Sequence, residues 1–405
     1  MNWLSTSALI GWILVDILDK LDYFNRIMNQ KDRFTRREFF KRSALAFGGL
    51  AISGRKPAKY ISRMGVLQEG EPLTPDFPVN VPLGRMCVGE PGTRVDILSE
   101  PFTNAPKVGS AWYDDVFEWK QEVIAKQIDN LRINQRWVET PDGYIYADYL
   151  QKVMYIPQEP LTQLPVSAAG ERGMWVEVVA PYAGMIFDSP PSQFWIREAV
   201  RPRIYYSQVF WAFDVRHDPV TGKTQYCLRQ LFGAHNDTYW VEADVCRQIT
   251  PEEIAPIHPD VTDKYVVVNL NYQTLTCFEG DREVYFATVT TGGYDYENEK
   301  WLTPPGVHTI WRKLISTHMS AGGAVGNYDI AGVGWTTLFD NNGAAIHSTF
   351  WHNYYGTTRS HGCVNARPED AKWVWRWTNP AVPYYPGELT IQGLNQSTKV
   401  DVVVE

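Results

Sequence analysis

RSHGCVNARPEDA, residues 359–371, places a cysteine between a His-Gly pair and an asparagine, directly ahead of a helix start. Pro368 fits the first helical position, because its ring presets the backbone angle and its missing N–H is not needed there. Glu369 favours the positive N-terminal end of the same helix, and Asn379-Pro380 ends it. The stretch therefore predicts a thiol on a turn, followed by one short helix.

The residues before this stretch predict short strands. KYVVVNLNYQTLTCFEGDREVYFATVTTGG (264–293) is typical of three strands joined by two turns. TPPGVHTIWRK (303–313) adds a Pro-Gly turn that leads into another strand. Along the first strand, alternate residues fall on one apolar face: Val266, Val268 and Leu270.

Composition supports a mainly β chain and excludes several function classes. Of 405 residues, 14% are aromatic, and 26 Pro and 30 Gly favour short strands with many turns. After Arg63 the chain holds 26 basic and 41 acidic residues, a balance that argues against nucleic acid binding. The five cysteines are scattered and include no CxxC pair, which excludes zinc ribbons and disulfide-dense miniproteins.

The N-terminus carries a targeting pattern. FTRREFFKRSALAFGGLAISG (34–54) resembles a twin-arginine export signal, and its apolar run is too short to span a bilayer. We therefore assign residues 28–62 to a signal or anchor and expect an extracytoplasmic protein, in the cell wall or tethered to the membrane. The segment 1–27 is an extension of uncertain role, and 63–82 is a proline-rich linker.

Two regions, 83–160 and 174–250, form a weak internal repeat. Both open with a short strand that runs into a proline-rich turn, and both end in an aromatic strand followed by Ala-Asp. They resemble bacterial SH3-like domains, which often bind cell-wall peptides; spacers or packing modules are the alternative. Within the first copy, EWKQEVIAKQIDNLRI (118–133) also has the apolar spacing of a helix.

Four elements of the C-terminal third form a composite motif. They are Gln273 in a strand hairpin, the TPPG turn at 303–306, IHSTFWHNYYG with His347, and SHGCVN at 360–365. Together they resemble the L,D-transpeptidase catalytic domain, over about 264–394. The resemblance implies a mainly β fold: two small SH3-like β-barrels followed by a β-sandwich catalytic domain with a short helix after the catalytic loop.

The same resemblance implies an activity on peptidoglycan stem peptides. The family forms an acyl-enzyme at the third stem residue, expels the terminal D-alanine and passes the acyl group to an amine. Water as acceptor would make the protein an L,D-carboxypeptidase, and a protein amine would make it an anchoring enzyme. A wall-binding scaffold without activity is the alternative of another class. We expect a monomer that needs no cofactor.

A thiol is a weak nucleophile near neutral pH unless a neighbouring imidazole takes its proton and lowers its pKa to roughly 3.5–7.5. Cys363 is therefore the predicted nucleophile. His347 matches the general base of the family, and the backbone carbonyl of Ser348 matches the acceptor that fixes its tautomer.

The oxyanion of the tetrahedral intermediate needs preorganised donors. The N–H groups around Gly362 and Cys363, with His361, are the predicted donors. Four further residues are predicted to orient the loop, border the cleft or bind substrate: Ser360, Asn365, Arg367 and His352. Among these, the Arg367 guanidinium suits a stem carboxylate.

Two alternatives concern the histidines and cysteines. A zinc site would use His347, His352, His361 and Cys363, whose imidazoles and thiolate are suitable ligands. The usual carboxylate base motif is missing from the sequence, so we expect no metal. Cys227 and Cys246 are predicted on neighbouring strands, either paired after export or present as buried free thiols.

Overall fold

The structure, a computed structural model, describes residues 73–404 except 90, 168–169, 194–195, 197–198, 200–201, 234–235 and 322–327. The N-terminal extension, the export signal and most of the proline-rich linker lie outside the described residues. The chain is mainly β, as predicted, and the helix α1 spans Pro368–Trp377. Among the described residues, no helix is long and apolar enough to cross a membrane.

The described part of the first region contains eight strands in two sheets. They are β1 (Pro82–Met86), β2 (Arg94–Leu98), β3 (Lys107–Trp112), β4 (Val116–Glu118), β5 (Gln121–Ile124), β6 (Arg136–Thr140), β7 (Gly143–Tyr146) and β8 (Leu150–Met154). The sheet orders are β4-β1-β8 and β3-β2-β7-β6-β5. The helical alternative for 118–133 is wrong, because β5 lies there and pairs with β6.

In its described residues, the second region contains seven strands. They are β9 (Met174–Val178), β10 (Tyr182–Gly184), β11 (Arg203–Tyr205), β12 (Val209–His217), β13 (Thr224–Arg229), β14 (Thr238–Glu242) and β15 (Cys246–Gln248). The main sheet has the order β14-β13-β12-β9-β15, and β10 pairs with β11. Cys227 and Cys246 therefore do not lie on neighbouring strands, and both are buried free thiols.

The two regions end in the same local structure. In the first, β7 is followed by a 3₁₀ helix, Ala147–Tyr149, and then by β8. In the second, β14 is followed by the 3₁₀ helix Ala243–Val245 and then by β15. The Ala-Asp pair noticed in the sequence thus opens a 3₁₀ helix in both copies. The SH3-like barrel assignment stays a prediction.

The third region, where the structure describes it, contains twelve strands and the helix α1. The strands are β16 (Lys264–Asn269), β17 (Thr274–Glu279), β18 (Arg282–Thr288), β19 (Tyr294–Asp295), β20 (Lys300–Trp301), β21 (Gly306–Thr309), β22 (Arg312–Ala321), β23 (Tyr328–Leu338), β24 (Ala345–Ser348), β25 (Val364–Ala366), β26 (Glu388–Thr390) and β27 (Lys399–Val403). Two five-stranded sheets result, β18-β17-β16-β27-β21 and β25-β24-β23-β22-β26. Their apolar faces contribute to one core, to which α1 adds Val374 and Trp375.

The core of the third region also includes side chains of the second. Trp175, Val209 and Trp211 are fully buried in the same cluster as Val266 and Ile346. The Trp175 indole Nε1 also donates to the carbonyl oxygen of Tyr384 at 2.7 Å. The second region therefore helps to close the core of the third.

Candidate active site

Two parallel strands, β24 and β25, position the candidate nucleophile and base. His347 on β24 is paired in register with Asn365 on β25, and Cys363 directly precedes β25. Because side chains alternate along a strand, Cys363 and Asn365 face the same side as their partner His347. All three line one cavity of about 790 Å³.

The His347 imidazole is buried and held by its own backbone neighbour. Its Nδ1 lies 2.9 Å from the carbonyl oxygen of Ser348. A carbonyl oxygen only accepts hydrogen bonds, so Nδ1 carries the proton and Nε2 keeps a lone pair. Burial lowers the pKa of His347 to about 4, partly opposed by the Ser348 bond. The ring is therefore a neutral imidazole at physiological pH.

The Cys363 thiol is neutral in the resting site. Burial raises its pKa to about 11, partly opposed by a hydrogen bond with the backbone of Ala345. The sequence led us to expect a pKa lowered by a charged imidazole. The structure differs because burial disfavours both charges, so the thiol and the imidazole are neutral together.

The turn before Cys363 is braced by two hydroxyls. The Ser360 hydroxyl donates to the Cys363 carbonyl and accepts the Gly362 N–H at 3.1 Å. The Thr303 hydroxyl of the TPPG turn donates to the Gly362 carbonyl at 2.8 Å. Gly362 has φ 141°, and a Cβ there would lie 2.9 Å from the carbonyl oxygen of Leu302. Only glycine fits this position.

This bracing changes the predicted role of Gly362. Its N–H already donates to the Ser360 hydroxyl, so it is engaged in shaping the turn rather than aimed at an oxyanion. The backbone N–H of Cys363 and the residue His361 stay candidates for that task. The His361 ring is exposed, lines the cavity and packs against Tyr328, with ring centroids 5.6 Å apart.

His352 forms the inner wall of the cavity. Its Nε2 lies 2.9 Å from the side-chain amide of Asn365, and its Nδ1 accepts the N–H of Tyr354 at 3.3 Å. Burial lowers the pKa of His352 to about 3, with smaller contributions from the neighbouring Arg359 and His347. His352 is thus a neutral ring that holds Asn365 beside His347.

Arg367 is placed away from the thiol. Its guanidinium lies 3.4 Å from the Thr288 carbonyl oxygen, 3.6 Å from the Asp370 carboxylate and over the ring of Tyr355. It lines a second cavity of about 530 Å³, which His352 also borders. Of the nine predicted residues, seven line the cavity of Cys363, Ser348 contributes only its carbonyl, and Arg367 does not line it.

The structure adds a cation that sequence reasoning missed. Arg359 lines the cavity of Cys363, with its guanidinium 4.1 Å from the centroid of the Tyr354 ring. It opens the stretch that holds the thiol, so its position four residues before Cys363 was the available signal. Lys300, the first residue of β20, lines the same cavity.

The donor set does not fit a metal ion. In the described part of the chain, no group of three or more His, Cys, Asp or Glu residues is arranged to hold one. Of the residues that the alternative zinc site would use, Nδ1 of His347 and both ring nitrogens of His352 already have protein partners. His347, His352 and His361 line the walls of the cavity.

The comparison with known proteins identifies the third region. Residues 263–402 match the family model of the L,D-transpeptidase catalytic domain, YkuD. No curated protein matches the chain.

Solved structures with similarity to the chain include three L,D-transpeptidases. One is a cysteine-to-serine mutant from Enterococcus faecium, at 20% identity, with 36% of this chain and 52% of that chain covered and a TM-score of 0.27. Another comes from Stackebrandtia nassauensis, at 22% identity, with 38% and 60% covered and a TM-score of 0.25. L,D-transpeptidase 3 from Mycobacterium tuberculosis has 15% identity, with 48% and 91% covered and a TM-score of 0.26.

The chain spans about half the length of the Enterococcus faecium structure, at 52%. The match to the family model covers the two five-stranded sheets, the braced turn and both members of the thiol–imidazole pair. Residues 263–402 therefore form an L,D-transpeptidase catalytic domain.

Proposed function

We propose that this protein is an exported, cysteine-dependent L,D-transpeptidase that remodels cross-links between peptidoglycan stem peptides. The observation that carries the proposal is the shared cavity, in which Cys363 and a correctly tautomerised His347 face the same side. The composite motif and the match of residues 263–402 to the family support the same conclusion.

In the first half-reaction the Cys363 sulfur attacks the carbonyl carbon of the third stem residue. The thiol proton moves to Nε2 of His347, which holds a lone pair because Nδ1 donates to Ser348. Preorganised N–H groups stabilise the oxyanion. The amide C–N bond then breaks, the His347 proton passes to the departing D-alanine amine, and a thioester to Cys363 is left.

In the second half-reaction an acceptor amine attacks the thioester. The neutral His347 takes a proton from that amine, a new amide forms, and the thiolate of Cys363 leaves and recovers the proton. Because burial disfavours both charges, the resting pair is neutral, and the imidazolium exists only while the proton is in transit. Water in place of the amine would give hydrolysis by the same path.

A substrate carboxylate has a cationic partner in this cavity. We assign this binding role to Arg359 in place of Arg367, because Arg359 lines the cavity of the thiol and a guanidinium binds a carboxylate through two parallel hydrogen bonds. His361 and Tyr328, whose rings contact each other, border the same cavity.

Export follows from the twin-arginine pattern at residues 34–54 and places the enzyme where its substrate is. The bacterial receptor reads a planar guanidinium pair, which lysine does not reproduce. Replacing Arg36 and Arg37 with lysine should therefore leave the protein in the cytoplasmic fraction. Equal export of the variant and the wild type would refute this part of the proposal.

A carbapenem tests the chemistry directly, because its strained amide traps an activated thiol as a thioester. We expect a single mass adduct on the full chain, mapped to the peptide that contains Cys363. The Cys363→Ala variant should form none, whereas the matched control Cys227→Ala, which removes a buried thiol elsewhere, should form one. A chelator should change nothing. An adduct on another residue, or its loss with chelator, would contradict the mechanism.

A further inference from the structure

A buried polar cluster joins both N-terminal regions. Arg85 on β1 is fully buried, and its Nη1 lies 2.8 Å from Oδ1 of Asp114. Arg203 on β11 lies 2.8 Å from the other oxygen of the same carboxylate, to which the Tyr205 hydroxyl donates at 3.1 Å. Gln151 on β8 accepts from Arg85 at 2.9 Å. We call these five residues the Arg85 cluster.

The Arg85 cluster also contacts the segment that follows His347, at Phe350. Nη2 of Arg85 donates to the carbonyl oxygen of Phe350 at 2.5 Å, a contact between residues 265 positions apart. The Phe350 ring stacks on Tyr205, with centroids 5.7 Å apart and planes 16° apart. Phe350 follows Ser348 by two residues, and the Ser348 carbonyl orients His347. A shift of the Phe350 peptide would therefore displace the Ser348 carbonyl oxygen, which accepts the hydrogen bond from Nδ1 of His347.

A buried guanidinium is costly, and stability alone does not explain it. Apolar side chains of similar volume often stabilise a core as well as a buried ion pair does. They cannot, however, donate a directed hydrogen bond to a backbone carbonyl. Burial lowers the pKa of Arg85, but Asp114 and further neighbours more than offset this, so the guanidinium stays charged. The charge supplies a donor fixed in direction.

Further contacts from the first region reach the same segment. The Asn353 side chain donates to the Ala147 carbonyl oxygen at 3.2 Å, and Tyr354 meets Tyr149 edge-on. Gly89, which follows β1 by three residues, lines the cavity of Cys363 itself. The segment after His347 is thus held from the first region at several points, and the Arg85 contact lies nearest to the base in sequence.

We propose that Arg85 is a positioning residue for the general base: it fixes the Phe350 peptide and thereby the Ser348 carbonyl that orients His347. This inference rests on the proposed thiol–imidazole mechanism. It makes the first region a part of the catalytic apparatus, since the donor that sets the base comes from β1. Arg85 acts through His347 and does not touch substrate.

A double-mutant cycle on the full chain tests the proposal. Arg85→Met should lower the maximal rate of carbapenem acylation by about 10–10²-fold, the cost of a small misplacement of a catalytic group. The half-saturating concentration should stay within about twofold. In a His347→Ala background the same change should cost nothing further, because the base through which Arg85 acts is already gone. Arg85→Lys should recover part of the rate.

The matched control is Arg247→Met. Arg247 is a half-buried arginine paired with Glu177 and Glu253, so its loss also breaks an ion-pair cluster, but one that contacts neither Phe350 nor the cavity. It should acylate at the wild-type rate. If Arg85→Met is poorly folded, Asp114→Asn loosens the same guanidinium with little change in volume and should show the same non-additivity.

Three results would overturn the proposal: additive losses in the cycle, equal rates for Arg85→Met and Arg247→Met, or an effect confined to the half-saturating concentration. If wild type forms no carbapenem adduct, the proposed function fails instead. The cycle is then run on the rate of Cys363 alkylation by iodoacetamide, which needs no substrate site and still reports whether Arg85 acts through His347.

Discussion

The third region and the two regions before it differ in how their sequences relate to their roles. In the third, a motif of a few residues predicts the chemistry, and the structure places seven of the nine predicted residues in one cavity. In the first two, repeated strand patterns suggested separate modules, yet Trp175 and Trp211 pack in the core of the third region and Arg85 bonds to Phe350. A local sequence pattern can predict which residues carry the chemistry. The dependence of one region on another comes instead from contacts between residues that are distant in the sequence.

The largest expected effect comes from deleting the first two regions. A chain of residues 251–405 loses Trp175, Val209 and Trp211 from its core, and loss of a single large core side chain typically costs about 3–5 kcal/mol. We expect this fragment to be unfolded by circular dichroism and to form no carbapenem adduct. The control is residues 64–405. A folded, reactive fragment would show that the first two regions are separable after all.

The second-largest expected effect tests the role of His347 within the third region. His347→Ala should slow carbapenem acylation by about 10²–10⁴-fold, the usual loss with a general base. The variant's rate should then rise with pH up to the thiol pKa of about 11, because only the ionised thiol reacts. Wild type should be flat above the His347 pKa of about 4. The control is His217→Ala, which changes an exposed histidine of the second region and should match wild type. If the acylation rate of His347→Ala did not change with pH, His347 would not be the general base.

The acid sensitivity of the fold tests the boundary between the regions, where His352 borders both cavities. Its pKa is about 3 when folded and near 6.5 when unfolded. Between these values the unfolded chain binds a proton that the folded chain excludes, so stability falls as the pH falls, by about 1.4 kcal/mol per pH unit.

His352→Gln removes this proton uptake. Between pH 6.5 and 4.5 the variant should therefore lose about 2–3 kcal/mol less unfolding free energy than wild type, measured by urea denaturation. His347 contributes in the same direction in both proteins, since its folded pKa is also lowered. The exposed His217→Gln should behave as wild type. Equal losses in all three proteins would mean that His352 is not held neutral by burial.

What the sequence predicted well was local. The buried face of Val266, Val268 and Leu270 and the bounds of α1 follow from alternation and helix-end signals. The turn around Gly362 was also predicted, although the engagement of its N–H by Ser360 was not. Such features depend on residues within a few positions of one another.

What sequence reasoning missed depends on distance and burial. Arg367 has the right chemistry for a carboxylate, but the start of α1 directs it to Thr288 and Asp370, whereas Arg359 reaches the cavity. The raised pKa of Cys363 comes from burial that no local pattern reports. The Arg85–Phe350 bond spans 265 positions and carries no sequence signature.

The smallest expected effect concerns the other thiols, and it contrasts them with Cys363. Cys227 on β13 and Cys246 on β15 are separated by β12 and β9. Three strand spacings amount to about 14 Å, well beyond the Cα separation of roughly 4.4–6.8 Å that a disulfide requires. Dithiothreitol should therefore leave the Tm unchanged in protein purified from an oxidising compartment.

The intact mass should be unchanged by the reductant as well, because no bond is available to break. The other four cysteines are buried and shielded from reagents: Cys87, Cys227, Cys246 and Cys277. Brief alkylation of the native protein should therefore label only Cys363, which is half-buried and opens onto the cavity. A gain of two mass units on reduction, with a lower Tm, would place a disulfide in the second region. That result would require β13 and β15 to approach each other, and the sheet order of this region would then be wrong.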